Sequence, residues 1–377
     1  MIAISTWAFW IAAALIAYTY LGYAAWLWLR ARLRPWPVRR GSAQPLVSIL
    51  MAVRDEESVL PQKLQNVLEL DYPAELCQIV VVSDGSTDRT EAILREYSDH
   101  PRFCLAMNRL SRGKAARLNQ GVELCHGDVV VFTDARQSIE RGAVRLLAEN
   151  FADPEVGAAS GELMLGDPAS GEAGQGLGLY WRIEKSIREL ESASGSVVGA
   201  TGAFYAVRRE LLTAIPEGAI LDDVYTPMEV VRQGKRVVFD PRARVWDRPD
   251  LGQSREFSRK VRTLSGNYQL LQLAPWILGN GNPIRFEYIS HKLLRLAVPF
   301  ALLATLVTSA LIPQTLYRVF LIAQLSFYAL SLLGLSHVKI GLLRRLGDAA
   351  LTFVMLNTAA AVAFANFVTG RKVAWTR

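Results

Sequence analysis

Charged residues are missing from the first 29 positions of the chain, Met1 to Leu29. This uncharged stretch exceeds the roughly 20 apolar residues that cross a bilayer. A cleaved signal peptide would need a basic start and a short apolar core, and the stretch has neither. We therefore predict a transmembrane helix. The residues that follow put position 30 onward in the cytoplasm and Met1 outside, because five of them are arginines: Arg30, Arg32, Arg34, Arg39 and Arg40.

Cysteine is scarce. The three cysteines, Cys77, Cys104 and Cys125, form an odd set without the spacing of metal ligands. We therefore expect no disulfide framework, and a reducing compartment fits. The net charge of +7 would suit a nucleic-acid partner, but much of the arginine lies beside apolar segments, where it marks membrane orientation. We expect no nucleic-acid binding.

What the chain does contain is a pair of apolar runs that each end in an aspartate. Residues 79–82 precede Asp84, and residues 129–133 precede Asp134. Such β-branched runs are typical of strands buried on both faces of a parallel sheet. Ligands of open α/β sheets bind outside the carboxyl ends of the strands. The two aspartates therefore predict a site for a cation or a sugar nucleotide.

Strand and helix patterns alternate from about residue 45 to 165, which predicts a mostly parallel, doubly wound sheet. A strand at 46–53 precedes a helix at 58–70, and a basic turn at 112–114 leads into a helix. Beyond this region we predict a loop at 161–178, a helix at 179–191, a turn and strand at 199–207, a helix at 227–233 and a strand at 236–240.

The C-terminal part is apolar again. Residues 293–312, 316–335 and about 346–368 predict three further membrane crossings, and residues 286–292 suit a helix in the membrane interface. Basic residues at 339, 344 and 345 should be cytoplasmic, although an even number of crossings leaves those at 371, 372 and 377 outside. We divide the chain into an N-terminal helix and linker (1–42), a catalytic α/β domain (43–270) and interfacial and transmembrane helices (271–377).

Carboxylates at strand ends with a basic turn between them suit nucleotide-diphospho-sugar chemistry. A divalent cation held by carboxylates neutralises a diphosphate, a lysine adds a positive charge, and another carboxylate deprotonates an acceptor hydroxyl. In this order along the chain, the residues resemble the membrane-bound family-two glycosyltransferases with a GT-A fold. That group includes cellulose, chitin, hyaluronan and bacterial exopolysaccharide synthases.

The resemblance rests on motifs read in order. They are the opening strand and nucleotide-contacting turn (47–57), the motif whose first aspartate meets the nucleoside (82–88), the segment whose lysine approaches the diphosphate (114–119), the metal motif (133–136) and the acidic pair (221–223). The resemblance implies Asp223 as general base with Asp222 orienting it, and a Mg²⁺ or Mn²⁺ ion on Asp134. It implies donor contacts from Val53, Arg54, Glu56, Asp84, Lys114, Asp134, Arg136, Arg259 and Arg262, and acceptor contacts from Thr201, Gly202 and Ala203.

The chain departs from the family pattern at three places. Arg54 and Asp55 stand where Tyr and Asn are common, and Arg136 replaces a second aspartate of the metal motif. Processive synthases carry Gln-x-x-Arg-Trp, whose tryptophan stacks on the acceptor sugar. Here the arginine, Arg262, is followed by Thr263. A single transfer therefore becomes as plausible as chain extension.

Several of these residues could instead have structural roles. Asp84 and Asp134 also suit simple turns, and the acidic pair also suits capping of a helix N-terminus or the reverse assignment of base and partner. Arg259 and Arg262 also suit a solvated basic face, and residues 201–203 a plain tight turn. Arg136 is an alternative to the metal as the group that faces the diphosphate.

By resemblance, then, we expect an inverting, metal-dependent glycosyltransferase of a bacterial inner membrane, multi-pass and with a cytoplasmic catalytic domain. Its donor is a nucleotide-diphosphate sugar, with UDP the expected nucleotide, and its acceptor is a saccharide or a lipid-linked group. One alternative is a polyprenyl-phosphate monosaccharide transferase, and another is a non-catalytic nucleotide-binding membrane subunit. Either a monomer or a homo-oligomer is compatible with the sequence.

Overall fold

The computed structural model of the chain describes residues 2–42, 44–166, 179–247, 253–334 and 341–371. Its α-helices in chain order are α1 Ile2–Ala17, α2 Tyr23–Leu33, α3 Leu60–Leu68, α4 Thr90–Arg95, α5 Lys114–Leu124, α6 Ala143–Glu149, α7 Leu179–Ser194, α8 Asp222–Arg232, α9 Gln253–Leu273, α10 Arg285–Tyr288, α11 Leu294–Leu311, α12 Thr315–Leu333 and α13 Gly341–Val368. Its strands are β1 Val47–Val53, β2 Cys77–Asp84, β3 Phe103–Asn108, β4 Val129–Thr133, β5 Ser138–Ile139, β6 Val156–Leu165, β7 Phe204–Arg208 and β8 Arg236–Asp247.

These strands form one eight-stranded sheet in the order β3-β2-β1-β4-β7-β6-β8-β5. The first four pair in parallel, as predicted, and β1, β2 and β4 are buried on both faces, as the inner strands of a parallel sheet are. β7 then pairs antiparallel with both β4 and β6, whereas β6 and β8 pair in parallel. The result is a mixed, mostly parallel sheet with helices on both faces, which confirms the predicted α/β class.

The register brings the predicted strand-end carboxylates to one edge of the sheet. Asp84 ends β2, and Asp134 directly follows β4, on either side of β1. Because the three strands run in the same direction, their carboxyl ends open on the same side.

Two predicted boundaries in the second half of the domain were wrong. Residues 161–165, expected in a loop, extend β6, and the rest of that loop, 167–178, lies outside the described residues. The strand expected at 236–240 continues to Asp247, because β8 pairs with both β6 and β5 along its length. The lengths of β6 and β8 depend on strand pairing with distant parts of the chain, which the local sequence pattern does not show.

The acidic pair also lies differently from the prediction. The helix expected from Pro227 begins at Asp222, so Asp222 and Asp223 occupy the first turn of α8. Carboxylates are favoured there, because the helix N-terminus carries partial positive charge. Pro227 lies inside the helix, so its missing N–H leaves one carbonyl of the first turn without its usual helical partner.

Among the described residues, four helices are long and apolar enough to cross a membrane: Ile2–Leu33, Arg285–Leu311, Thr315–Leu333 and Arg345–Val368. They match the four predicted crossings. The second differs in its start, because residues 286–292, expected as a separate interfacial helix, join α11 through a π-helical turn, Ile289–Leu293. His291 in that turn is buried, rather than facing a membrane surface.

A buried cluster of polar and charged side chains joins these apolar helices to α7 of the α/β domain. Nδ1 of His291 lies 2.8 Å from Oε1 of Glu191, which also accepts a 2.7 Å hydrogen bond from the hydroxyl of Tyr23. Nε2 of His291 lies 3.0 Å from Glu184, whose other oxygen accepts from Arg295 at 2.7 Å. Because buried charges are costly unless paired, these contacts fix α7 against α2 and the helix of residues 285–311.

Candidate active site

A cavity of about 1200 Å³ opens at the carboxyl ends of β1 and β4. Its walls come from the sheet edge and from α7, α8, α9 and α13. Most of the predicted site residues line it: Arg54, Glu56, Lys114, Asp134, Arg136, Thr201, Gly202, Ala203, Asp222, Asp223, Arg259 and Arg262. Residues from distant parts of the chain thus meet in one place, which is what a donor and an acceptor site together require.

Lys114 lies between two carboxylates of this cavity. It begins α5, directly after Gly113, whose φ of 90° suits a residue without a Cβ. Its Nζ lies 3.0 Å from Oδ1 of Asp134 and 3.4 Å from Oδ2 of Asp222. Burial by itself lowers the pKa of Lys114, but these carboxylates outweigh it and hold that pKa above its usual range. Lys114 therefore keeps its positive charge at any physiological pH.

The backbone of α8 places Asp223 against the turn that holds Gly202. Pro227 has no N–H to bond the carbonyl of Asp223 four residues earlier, and the N–H of Ala200 bonds that carbonyl instead at 2.7 Å. Gly202 follows two residues later, and a Cβ added to it would lie 2.7 Å from Oδ2 of Asp223. The glycine therefore leaves open the space beside this carboxylate.

The surroundings of Asp223 make its carboxyl a better proton acceptor. Burial and then the neighbouring carboxylate of Asp222 raise its pKa to about 6, against the opposing charge of Lys114. A base of this strength is still ionised at neutral pH and binds a proton more readily than an ordinary aspartate. The buried Oδ2 of Asp222 accepts no hydrogen bond from the described residues, and its contact is the ammonium of Lys114 at 3.4 Å. In the acidic pair, Asp223 thus has the raised pKa, whereas Asp222 contacts the ammonium of Lys114.

The other residues of the predicted acceptor turn are engaged in structure. The hydroxyl of Thr201 accepts a 2.7 Å hydrogen bond from Arg188 and donates one of 2.7 Å to the carbonyl of Gly161. Thr201 and Ala203 are both buried. They hold the turn in place, and Gly202 supplies the surface beside Asp223.

The metal motif contributes one carboxylate, Asp134, which pairs with Lys114 and is partly exposed, and one arginine, Arg136, which is paired with a carboxylate elsewhere. Asp134 is 38% exposed at its side chain, whereas Arg136 donates a 2.7 Å hydrogen bond to Oδ2 of Asp247. Among the described residues, no cluster of three His, Cys, Asp or Glu side chains could hold a metal ion. A hard cation that is shared with substrate phosphates needs only one or two protein carboxylates. The donor set around Asp134 fits such a shared ion and does not fit a metal held by protein alone.

Lys63, which our sequence analysis did not single out, forms hydrogen bonds to both ends of the segment that holds the metal motif. Its fully buried Nζ donates to the hydroxyl of Thr133 at 2.9 Å and to the carbonyl of Gln137 at 2.7 Å. Burial lowers its pKa to about 7, although the nearby charge of Asp134 opposes this. In the sequence it falls on the apolar face of α3, three residues after Leu60 and four before Val67, and a lysine at such a position is the signal that could have found it.

Asp84 and Val53 do not line the cavity. The carboxylate of Asp84 accepts hydrogen bonds from Ser111 Oγ at 2.7 Å, the N–H groups of Arg112 and Gly113 at 2.7 and 3.0 Å, and Arg117 Nε at 2.7 Å. Burial raises its pKa, but these bonds outweigh burial and hold that pKa below its usual range. Asp134 and Asp223 therefore share the cavity, whereas Asp84 fixes the loop before Lys114. Its contact with a nucleoside stays a prediction, as does that of Val53, whose side chain lies in the core.

The face of α9 completes the cavity with basic side chains. Arg259 and Arg262, one helical turn apart, both line it, and burial lowers the pKa of Arg262. Thr263 lines it too, so the position of the missing tryptophan faces the cavity with a small side chain. Sequence reasoning missed two contributions: Trp181 from α7, and Leu356 and Val362 from the apolar helix α13.

Comparison with known proteins agrees with this architecture. Residues 48–215 match the model of glycosyl transferase family 2. Poly-β-1,6-N-acetyl-D-glucosamine synthase of Staphylococcus aureus is 25% identical over 234 residues, which cover 60% of this chain and 55% of the synthase. The corresponding synthase of Staphylococcus epidermidis is 24% identical over 234 residues, covering 61% and 56%. The chain thus spans little more than half the length of these relatives.

One solved structure is similar along almost the whole chain. It is a mannosyltransferase from Pyrobaculum calidifontis in complex with GDP-Man and Mn²⁺, 23% identical, covering 97% of this chain and 100% of that one, with a TM-score of 0.74. The sheet topology and this similarity together define a GT-A fold. The model of glycosyl transferase family 2 covers somewhat less than half of the chain, so this part of the chain resembles that family.

Proposed function

We propose that the protein is an inverting glycosyltransferase that moves a sugar from a nucleotide-diphosphate donor, with UDP the expected nucleotide, to a saccharide or lipid-linked acceptor. Polysaccharide or glycolipid synthesis is the expected process. The observation that carries this proposal is the position of Asp223. Its carboxyl lines the cavity beside the open surface of Gly202, has a pKa raised to about 6, and shares the site with the cation of Lys114.

In the proposed reaction, Asp223 removes the proton of an acceptor hydroxyl while that oxygen attacks the anomeric carbon of the donor. Attack comes from the face opposite the nucleoside diphosphate, so the configuration inverts. Lys114, Arg259 and Arg262 offset the negative charge that grows on the departing diphosphate, because guanidinium and ammonium groups bind phosphate oxygens well. Asp222 holds Lys114 in place.

We propose Asp134 as the protein ligand of a Mg²⁺ or Mn²⁺ ion. Such an ion would neutralise negative charge on the donor's diphosphate. The exposed carboxylate of Asp134 supports this assignment, and the Pyrobaculum mannosyltransferase was solved with Mn²⁺. The alternative is that Arg136 and Lys114 supply the positive charge without a metal. The pairing of Arg136 with Asp247 keeps its guanidinium at the cavity wall, as that alternative would need.

We propose that the catalytic domain lies on the cytoplasmic side of a bacterial inner membrane. The helix Ile2–Leu33 and three C-terminal helices have the length and composition of membrane spans. The arginines that follow the first span favour a cytoplasmic location for the sheet.

A polyprenyl-phosphate monosaccharide transferase is the second candidate. Leu356 and Val362, on a helix long and apolar enough to span a membrane, line the cavity together with the charged residues. That arrangement would let a membrane lipid present its phosphate to the donor. A phosphate acceptor needs no base, so Asp223 would then have no proton to remove.

Product analysis tests the proposal and separates the candidates. Purified full-length protein is given UDP-, GDP- and TDP-sugars together with membrane lipid and short saccharides, and the products are identified by mass spectrometry. The proposal expects a new glycosidic bond. A phospholipid-linked monosaccharide as the sole product would favour the second candidate, and donor binding without any transfer would contradict both.

A further inference from the structure

The cavity contains a tryptophan at a place that the family pattern does not predict. Thr263 replaces the sugar-stacking tryptophan of processive synthases, but Trp181 of α7 lines the same cavity from another wall. Its side chain is partly exposed, and the ammonium of Lys260 on α9 lies 5.3 Å from the centre of its ring. An indole ring offers a broad apolar face, and such a face packs against the C–H surface of a pyranose.

The distance of Trp181 from the proposed base sets which sugar it could contact. Trp181, Lys185 and Arg188 are spaced by four and three residues, so they share one face of α7. Arg188 donates to Thr201, next to the Gly202 that adjoins Asp223. Trp181 precedes Arg188 by two helical turns, about 10 Å along the axis. This separation exceeds one pyranose ring, which fits an indole that contacts a sugar other than the one whose hydroxyl is attacked.

The same wall carries hydrogen-bond acceptors that lack donors. Lys185 Nζ lies 2.7 Å from Oε1 of Glu162, which places Glu162 about one turn of α7 from Trp181. Oε2 of Glu162, Oε1 of Gln137 and Oδ1 of Asp247 belong to residues that line the cavity, and none accepts a hydrogen bond within the described parts of the chain. Oε2 of Glu162 has an ion-pair contact with Arg244 Nε, at 3.7 Å. Buried acceptors are nearly always satisfied in proteins, so these oxygens fit a ligand rich in hydroxyl donors.

We propose that Trp181 and Glu162 form a second saccharide subsite, which binds a sugar unit behind the one whose hydroxyl is attacked. This inference rests on the proposed function and narrows its acceptor to an oligosaccharide or the saccharide part of a larger molecule. Acceptors of at least two or three units then bind better than a monosaccharide. A bare lipid phosphate does not reach the subsite.

Binding measurements on full-length protein in detergent test this directly. The probes are N-acetylglucosamine β-1,6-oligosaccharides and mannose oligosaccharides, each of one to four units, titrated by calorimetry. We expect affinity for one of the two series to rise with length. Trp181→Ala should weaken binding of the longest member about tenfold and leave the monosaccharide unchanged. Trp181→Phe, which keeps an aromatic face, should restore most of the loss.

Trp276→Ala is the matched control. Trp276 also has a cationic partner, Arg232, 4.9 Å from its ring centre, and it is not among the residues that line the cavity in the described structure. The Trp276→Ala variant should keep the wild-type increase of affinity with oligosaccharide length. The inference is overturned if neither series binds better with length, or if Trp181→Ala keeps the wild-type length dependence. Release of nucleoside diphosphate from the donor is also measured without acceptor, because this hydrolysis does not involve the subsite. If the donor is hydrolysed but the length dependence is absent, the subsite is wrong and the proposed function is not.

Discussion

Gly202 adjoins the carboxylate of Asp223 so closely that a Cβ on residue 202 would lie 2.7 Å from Oδ2. The hydrogen bond from Ala200 N–H to the carbonyl of Asp223 holds the two segments together at 2.7 Å. The turn cannot easily retreat from a larger side chain, so the carboxylate would have to move. The position of the Asp223 carboxylate therefore depends on the absence of a side chain at residue 202.

Gly202→Ala should lower turnover about 10- to 100-fold, because a small displacement of a catalytic group has an effect of that order. Donor affinity should stay near the wild-type value, since the diphosphate-facing cations lie elsewhere in the cavity. Steady-state kinetics and donor titration measure the two effects separately. Gly142→Ala is the control, because a Cβ there meets Arg145 no closer than 3.6 Å. Wild-type turnover in Gly202→Ala would show that Asp223 is not the base or is not held by this turn.

The pH dependence of transfer should report the pKa of Asp223. The base must be ionised to accept a proton, and its pKa is raised to about 6. The ratio kcat/KM should therefore fall about tenfold for each pH unit below 6 and level off above it. Circular dichroism at each pH controls for unfolding. A flat profile between pH 5 and 8, with the protein folded throughout, would contradict the assignment.

Lys114→Met should weaken donor binding about ten- to hundredfold, because a hydrogen bond to a charged group contributes about 1.5–3 kcal/mol. The substitution also leaves Asp134 and Asp222 facing the diphosphate without the cation between them. Lys114→Arg should recover part of the affinity. The control is Lys235→Met, since Lys235 is partly exposed and its Nζ bonds only the carbonyl of Pro154 among the described contacts. Unchanged donor affinity in Lys114→Met would exclude the diphosphate role.

Chelation should stop transfer, and added Mg²⁺ or Mn²⁺ should restore it. Asp134→Asn should raise the metal concentration needed for half-maximal activity, because it removes the proposed protein ligand's charge. Activity that is indifferent to a chelator would instead assign the charge neutralisation to Arg136 and Lys114.

Much of the first half of the domain could be predicted from the sequence, because its strands are short, β-branched and buried on both faces. The runs before Asp84 and Asp134 became β2 and β4, and their carboxyl ends open at the same edge of the sheet. The cavity-facing positions of Lys114 and Asp223 followed from motif order. These are features that local pattern and chain order encode.

Other features depend on partners that are remote in the chain. The loop of residues 111–113 satisfies Asp84, so its carboxylate is withdrawn from the cavity although its motif matches. The parallel pairing of β6 with β8 extended β6 into the predicted loop as far as Leu165, and it extended β8 to Asp247. Trp181 looked like one apolar residue of an amphipathic helix, and only the packing of α7 beside α9 shows that it faces the cavity.

The most direct test of the account is a comparison of Asp223→Asn with Asp222→Asn, in which sugar transfer and donor affinity are measured on the same preparations. Asparagine keeps the shape of aspartate and removes the base. We expect Asp223→Asn to abolish transfer with near-normal donor binding, and Asp222→Asn to retain measurable transfer. Near-normal turnover in Asp223→Asn would contradict the account, and loss of transfer in Asp222→Asn alone would assign the base to Asp222.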